Sequence, residues 1–242
     1  MPYIISPIIR ESFKGMWGEG HPYQRSTIYQ KDESSSESPP VNYSSYTLKP
    51  HSLPHIETSA HTSNGAPTIE HYFSQERISH FYGRTVVLRL EGDHFKTLET
   101  NSSIKIWRIT KDQILSALQR VTKRKSIPKR LIITLKSIPL NNEKLHDPNY
   151  VLILEQEAAT YLVENGIELY GTSWKSSDYN PGGSERPIHN TLFQSALIME
   201  CLDLNNVPEG VYFLSAFPIP LEGASESPVC PVLYTYDEIG ED

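Results

Sequence analysis

The sequence predicts an α/β fold on three observations. It holds several short runs rich in β-branched and aromatic residues, it places two segments of helical period between them, and its 242 residues suit one domain. A chain of 27.5 kDa can bury a sizeable core, so residues 1–242 are read as a single domain.

In chain order, residues 31–47 (KDESSSESPPVNYSSYT) combine serine, proline and acidic groups, a composition that buries little apolar surface and is expected to form a flexible loop. Residues 85–90 (TVVLRL) read as a strand. Thr110 then caps a predicted helix whose apolar residues Ile114, Leu115, Leu118 and Val121 recur with a period near 3.6, and which cannot continue past Pro128. A second strand follows at 130–135 (RLIITL), and a second helix at 155–165 (EQEAATYLVEN). Strong helix formers build that helix, and Gly166, which tolerates a left-handed closing conformation, ends it. Further strands are predicted at 167–170 (IELY), 211–216 (VYFLSA) and 229–236.

A net charge of -7 with a pI near 5.7 argues against nucleic acid as a partner, because phosphate binding needs a basic face. The one basic cluster, Lys123, Arg124, Lys125, Lys129 and Arg130, reads as a solvated helix end and loop. Mean hydropathy is -0.42, and no window approaches the roughly 18 consecutive apolar residues of a membrane span. The segment MPYIISPIIRESFKG has neither a basic leader nor a small-residue cleavage site, so a cytoplasmic location is expected. Cys201 and Cys230 sit in no metal-binding spacing and are expected as buried thiols. No G-x-S-x-G elbow, P-loop or G-x-G-x-x-G is present, and Gly182-Gly183 marks a turn.

The stretch LEQEAATYLVENGIELYGTSWKSSD, residues 154–178, is similar to the pattern eAAeyLve.Gv.lvGiD..S.D. His189 follows in IHNTLF, and then LIMECLDLNNVPEGVYFLSAFPIPLEGASESPV resembles iiE.L.L..vp.G.Y.l.alPl.l.g.dgSPv. Both patterns belong to the cyclase and kynurenine formamidase (arylformamidase) family of metal-dependent amide hydrolases, which the chain resembles over roughly residues 129–233. Nearer the N-terminus the family carries H-x-G-T-H-x-D-A-P-x-H, and this chain offers HIETSAHTSNGAPTIEH, residues 55–71. The resemblance implies a mixed sheet bearing helices, of the swivelling β/α/β type, assembled as a homodimer or higher homo-oligomer. It also implies one or two zinc or manganese ions and hydrolysis or cyclisation of a small amide or lactam through a metal-activated water.

Read as a strand, residues 55–63 turn His55, Glu57, Ser59, His61 and Ser63 to one face. Two imidazoles and a carboxylate with an open position are a catalytic metal arrangement, which His55, Glu57 and His61 can supply. Two alignments with the family strand stand open. One sets His61 on the second family histidine, with Glu57 on the first and Ser63 on the aspartate. The other starts at His55, with Ser59 on the second histidine and His61 on the aspartate. Either replaces one ligand by serine and leaves His51 outside the motif. The resemblance makes His71 the last histidine of the motif, a proton relay. It makes His189 and Glu200 metal ligands or acid-base groups that complete the site. In one continuous helix His189 and Glu200 would stand roughly 16 Å apart, so the chain must bend between them. Ser173 stands where the family has aspartate, and Cys230 where it has arginine. The alternative is a family fold without metal, serving as a binding protein or as an acid-base enzyme.

Overall fold

In a computed structural model, which describes residues 1–240, the chain folds as a mixed α/β protein. The last two residues of the expected 1–242 domain lie outside the described residues. The strands are β1 (Tyr3–Ile4), β2 (Tyr23–Tyr29), β3 (Tyr43–Leu48), β4 (His55–Glu57), β5 (Tyr82–Leu90), β6 (Lys96–Leu98) and β7 (Asn101–Ile109). They continue as β8 (Arg130–Leu135), β9 (Tyr150–Leu154), β10 (Leu169–Thr172), β11 (Leu197–Glu200), β12 (Gly210–Ser215), β13 (Glu226–Pro228) and β14 (Val232–Tyr234). The helices are α1 (Lys111–Thr122), α2 (Gln156–Glu164), α3 (Pro187–Leu192) and α4 (Tyr236–Ile239).

Nine strands make the main sheet, in the order β1-β14-β12-β5-β8-β10-β11-β4-β13. Its centre, β5-β8-β10-β11, is parallel, and antiparallel strands flank it on both sides. The central strands are mostly apolar, as suits strands covered on both faces, and all six residues of β8 are buried. One face carries α1, α2 and the small β6-β7-β9 sheet over Leu88, Leu131, Ile133 and Tyr170. The other face packs Ile56, Phe81, Ile132, Met199 and Leu214.

The two helices obey their local signals. Thr110 accepts from the Gln113 amide and Gln113 returns the bond, a complete capping box. Gly166, at φ +80°, turns the chain out of α2 in the left-handed region. Four expectations are corrected. Residues 43–47 of the expected loop belong to β3, whose backbone pairs with β2 across alternating serine, threonine and tyrosine. Cys230 is exposed beside Pro231, while Cys201 is buried. Arg130 is buried at the head of β8, where Glu168 pairs with it at 3.4 Å. The strand that starts at His55 ends at Glu57, and Ser59–His61 form a short 3-10 turn, in which the His61 amide turns back to the Thr58 carbonyl at 2.9 Å.

Ser173 faces away from solvent into a chain of hydroxyl and imidazole groups. Its Oγ lies 2.8 Å from both Thr134 Oγ1 and His146 Nδ1, and His146 Nε2 donates to the Tyr150 carbonyl at 2.9 Å. Burial pushes His146 down to about 4, so the ring is neutral in the fold and more basic once unfolded. The stability this contributes is complete above about pH 6.5 and is lost as pH falls toward 4. His55 and His189, held above their ordinary value, slope the other way. The His146 contribution is therefore the difference between wild type and His146→Gln. Urea titrations between pH 7 and 4.5 should show stability falling more steeply in wild type; parallel profiles would place the titration elsewhere.

Candidate metal centre

The register of the sheet edge assembles the site. β4 lies between β11 and β13, setting His55 opposite Glu200 and Glu57 opposite Glu226. The 3-10 turn Pro50–Ser52 brings His51 over this edge, the turn at Ser59–His61 brings His61, and α3, begun by Pro187, delivers His189. The bend expected between His189 and Glu200 is the break between α3 and β11.

Glu57 is the centre of the cluster. His51 Nδ1 and His55 Nε2 each lie 3.2 Å from its Oε1, His61 Nε2 lies 3.6 Å from the same oxygen, and His189 Nε2 lies 3.1 Å from Oε2. Glu200 stands beyond, 3.5 Å from His189 Nε2 and 3.9 Å from His55 Nε2, and accepts from Ser177 Oγ at 2.7 Å. His55, Glu57, His189 and Glu200 are all buried. Burial disfavours charge on Glu57, yet His189, His51 and His55 outweigh it and hold the carboxyl well below the usual range. Burial likewise opposes the charged form of His189, and Asp178, Glu200 and Glu57 reverse that and raise it well above an ordinary imidazole. Glu226 is drawn down to about 2, chiefly by His61 and against its partial burial.

The partners of the two buried histidines fix their tautomers. His189 Nδ1 donates to Asp178 Oδ2 at 2.7 Å, and Asp178 also accepts from the Ile188 and His189 amides. His55 Nδ1 donates to the Leu53 carbonyl at 2.7 Å. Each ring therefore turns Nε2 toward Glu57 and Glu200, as a lone pair when the ring is neutral. Glu57 Oε2, although 3.1 Å from His189 Nε2, is buried without a hydrogen bond. Lone pairs and carboxylate oxygens that converge in a buried space call for a cation, or for protons, between them. Imidazole nitrogen and carboxylate oxygen are a donor set for zinc or manganese, and an imidazole oriented by a carboxylate or carbonyl is a common outer support of such a site. Donor atoms of His51, His55 and Glu57 lie within 4.8 Å of one another, as do those of Glu57, His61 and His189 and those of His51, His61 and Glu226. The residues present fit a metal.

A cavity of about 310 Å³ opens on the cluster. Trp17, Lys49 and Arg186 line it with Glu57, His189 and Glu200, and Lys175 Nζ lies 3.9 Å over the Trp17 ring.

Five of the six predicted site residues, His55, Glu57, His61, His189 and Glu200, come together here. His71 does not: it is exposed in the turn Ile69–Phe73, edge-on to Tyr72, and belongs to none of the donor groups among the described residues. His51, Asp178 and Glu226 were missed. The first of these corrects the motif. His51, His55, Glu57 and His61 fall at i, i+4, i+6 and i+10, the spacing of the histidines and aspartate in H-x-G-T-H-x-D-A-P-x-H, so the motif starts four residues before the earliest start considered. No ligand position then falls on a serine. Asp178 was within reach, as the final D of the quoted pattern. Glu226 had no local signal.

Comparison with known proteins shows the family and the fold. The model of the Cyclase family matches residues 13–179. The kynurenine formamidase of Bacillus anthracis is 25% identical over 218 residues, covering 90% of each chain. A solved structure described as a potential metal-dependent hydrolase with cyclase activity superposes at a TM-score of 0.67, with 22% identity and 96% of each chain covered. Isatin hydrolase A from Ralstonia solanacearum gives a TM-score of 0.67 at 19% identity, covering 97% of this chain and 92% of the other. These two structures share the fold.

Proposed function

The chain belongs to the Cyclase family, and from that premise we propose that it is a metal-dependent hydrolase or cyclase acting on a small amide or lactam, with zinc or manganese at Glu57. The observation that carries the reading is the convergence of His55 Nε2 and His189 Nε2, each fixed from behind, on Glu57 and Glu200. His55, Glu57, His189 and Glu200 would hold the ion. A divalent ion bound there supplies Lewis-acid polarisation of an amide carbonyl and lowers the pKa of a water toward about 7. The protein's own work is orientation: Asp178 locks His189, the Leu53 carbonyl locks His55, and Ser177 occupies one oxygen of Glu200. The exposed indole of Trp17, steadied by Lys175, offers a flat wall for a planar amide, and Arg186 and Lys49 bring positive charge to the same cavity. The kynurenine formamidase and isatin hydrolase relatives support an N-formyl aryl amide or a ring amide as the substrate type.

The test is hydrolysis of formanilide and isatin by protein stripped with chelator and then reloaded with zinc or manganese. Turnover of at least one amide that disappears on stripping and returns on reloading is the expected result. Protein that takes up neither metal, or whose turnover survives complete stripping, would sink the proposal.

A further inference from the structure

Residues 15–20 (GMWGEG) form a strap without regular secondary structure that brings Trp17 and Glu19 to the cavity. The Gly15 amide donates to the Gly20 carbonyl at 2.7 Å, which closes the strap into a small loop, and a side chain at Gly15 would strike that carbonyl. Gly18 and Gly20, at φ +79° and +78°, take the left-handed region that its tight course requires.

The turn that carries His51 holds the strap by several bonds. The Met16 amide donates to Ser52 Oγ at 2.7 Å, Trp17 Nε1 donates to the His51 carbonyl at 3.0 Å, and Lys49 Nζ donates to the Glu19 carbonyl. Among the described residues, one further side chain bonds to the strap, and it comes from a distant segment. Lys175 Nζ donates to the Met16 carbonyl at 2.7 Å and stands 3.9 Å over the Trp17 ring. Lys175 is half-buried, and burial disfavours its charge. A carbonyl and an aromatic face are what its ammonium has in place of water, so opening the strap would cost it both partners at once.

Lys175 also belongs to the segment that orders the donors. Ser177, two residues on, holds Glu200, and Asp178, three on, holds His189. The strap therefore ties the segment behind Glu200 and His189 to the turn that carries His51, with the indole fixed between them on the cavity wall. The pattern quoted for the family, GiD..S.D, leaves position 175 open, so the clamp lies outside the resemblance.

We propose that Lys175 is a positioning residue that acts through Trp17: it clamps strap 15–20 onto the cavity and thereby sets the affinity for a planar amide. The proposal rests on the hydrolase reading for its substrate, whereas the clamp stands on contacts that involve neither metal nor substrate.

Zinc-loaded full-length wild type, Lys175→Met and Lys175→Arg are compared by two measurements. One is amide hydrogen exchange of the peptide covering residues 13–22; the other is KM and kcat for formanilide. Methionine keeps the side-chain length and removes the charge and the donor, and arginine restores both. Lys175→Met should exchange this peptide about fivefold faster or more and raise KM by a similar factor, with kcat within about twofold of wild type. Lys175→Arg should return both toward wild type. In a Trp17→Ala background Lys175→Met should leave KM unchanged, because its effect passes through the indole. Unchanged exchange and KM in Lys175→Met would overturn the proposal. So would a fall in kcat at constant KM, or a loss that persists in the Trp17→Ala background, since either places Lys175 at the reaction or in the fold rather than behind the indole. Should Lys175→Met fail to fold, Lys175→Gln is read in its place. Wild type that turns over neither formanilide nor isatin would sink the hydrolase reading, and exchange then decides the clamp. Faster exchange in Lys175→Met that Lys175→Arg restores upholds it, and equal exchange removes it.

Discussion

Glu57→Gln is expected to weaken zinc or manganese binding by more than about 100-fold, with the fold intact. Loss of a supporting partner behind a ligand typically costs 10–100-fold in affinity, and Glu57 is proposed as the ligand itself. It contacts four histidines, with nitrogens at 3.1 to 3.6 Å. Glutamine preserves the shape but removes the negative charge that all four rings face. Calorimetric titration in chelator-treated buffer measures the change. His71→Ala is the matched control, because His71 is exposed in its turn and away from the cluster. His51→Ala cannot serve, since His51 is part of the cluster. Equal affinities for wild type and Glu57→Gln would remove Glu57 from the site.

Leu162→Ala is expected to destabilise the protein by about 2–5 kcal/mol, the range for removing a fully buried leucine side chain and leaving a cavity. Leu162 has no exposed surface and joins α2 to the core that includes Ala158 and Tyr170. Glu164, two residues on, is exposed, and Glu164→Ala should stay within about 0.5 kcal/mol. Urea unfolding of the two variants decides the matter, and equal shifts would mean that the inward face of α2 has been misassigned.

The parts of the fold that local chemistry controls were legible in the sequence. Thr110, the period of Ile114 to Val121, and Gly166 specify the helices without reference to anything distant. β7 and β9 escaped notice because NSSIKIWRI mixes exposed polar and buried apolar positions and YVLIL is too short to separate from a loop by period alone. In the site, His55 and Glu57 were reached by strand alternation and donor chemistry, and His189 and Glu200 through resemblance. His51 was hidden because strand alternation was followed from His55, whereas His51 arrives by a 3-10 turn that alternation does not describe. His61 was placed near the right atoms for the wrong reason, since it too stands on a turn. Glu226 becomes visible only through the pairing of β13 with β4, a contact between residues 169 positions apart (226 minus 57).

That pairing has a consequence for how the protein is made. β4 leaves the ribosome early, but both strands that flank it, β11 and β13, come from the last quarter of the chain. Loops of that length close slowly and at an entropic cost that grows with their size. The histidines of β4 and its flanking turns therefore wait, without their carboxylate partners from β11 and β13, until synthesis is nearly complete. The cluster around Glu57 is completed only after the last quarter of the chain has emerged, so its assembly is a closing step of folding.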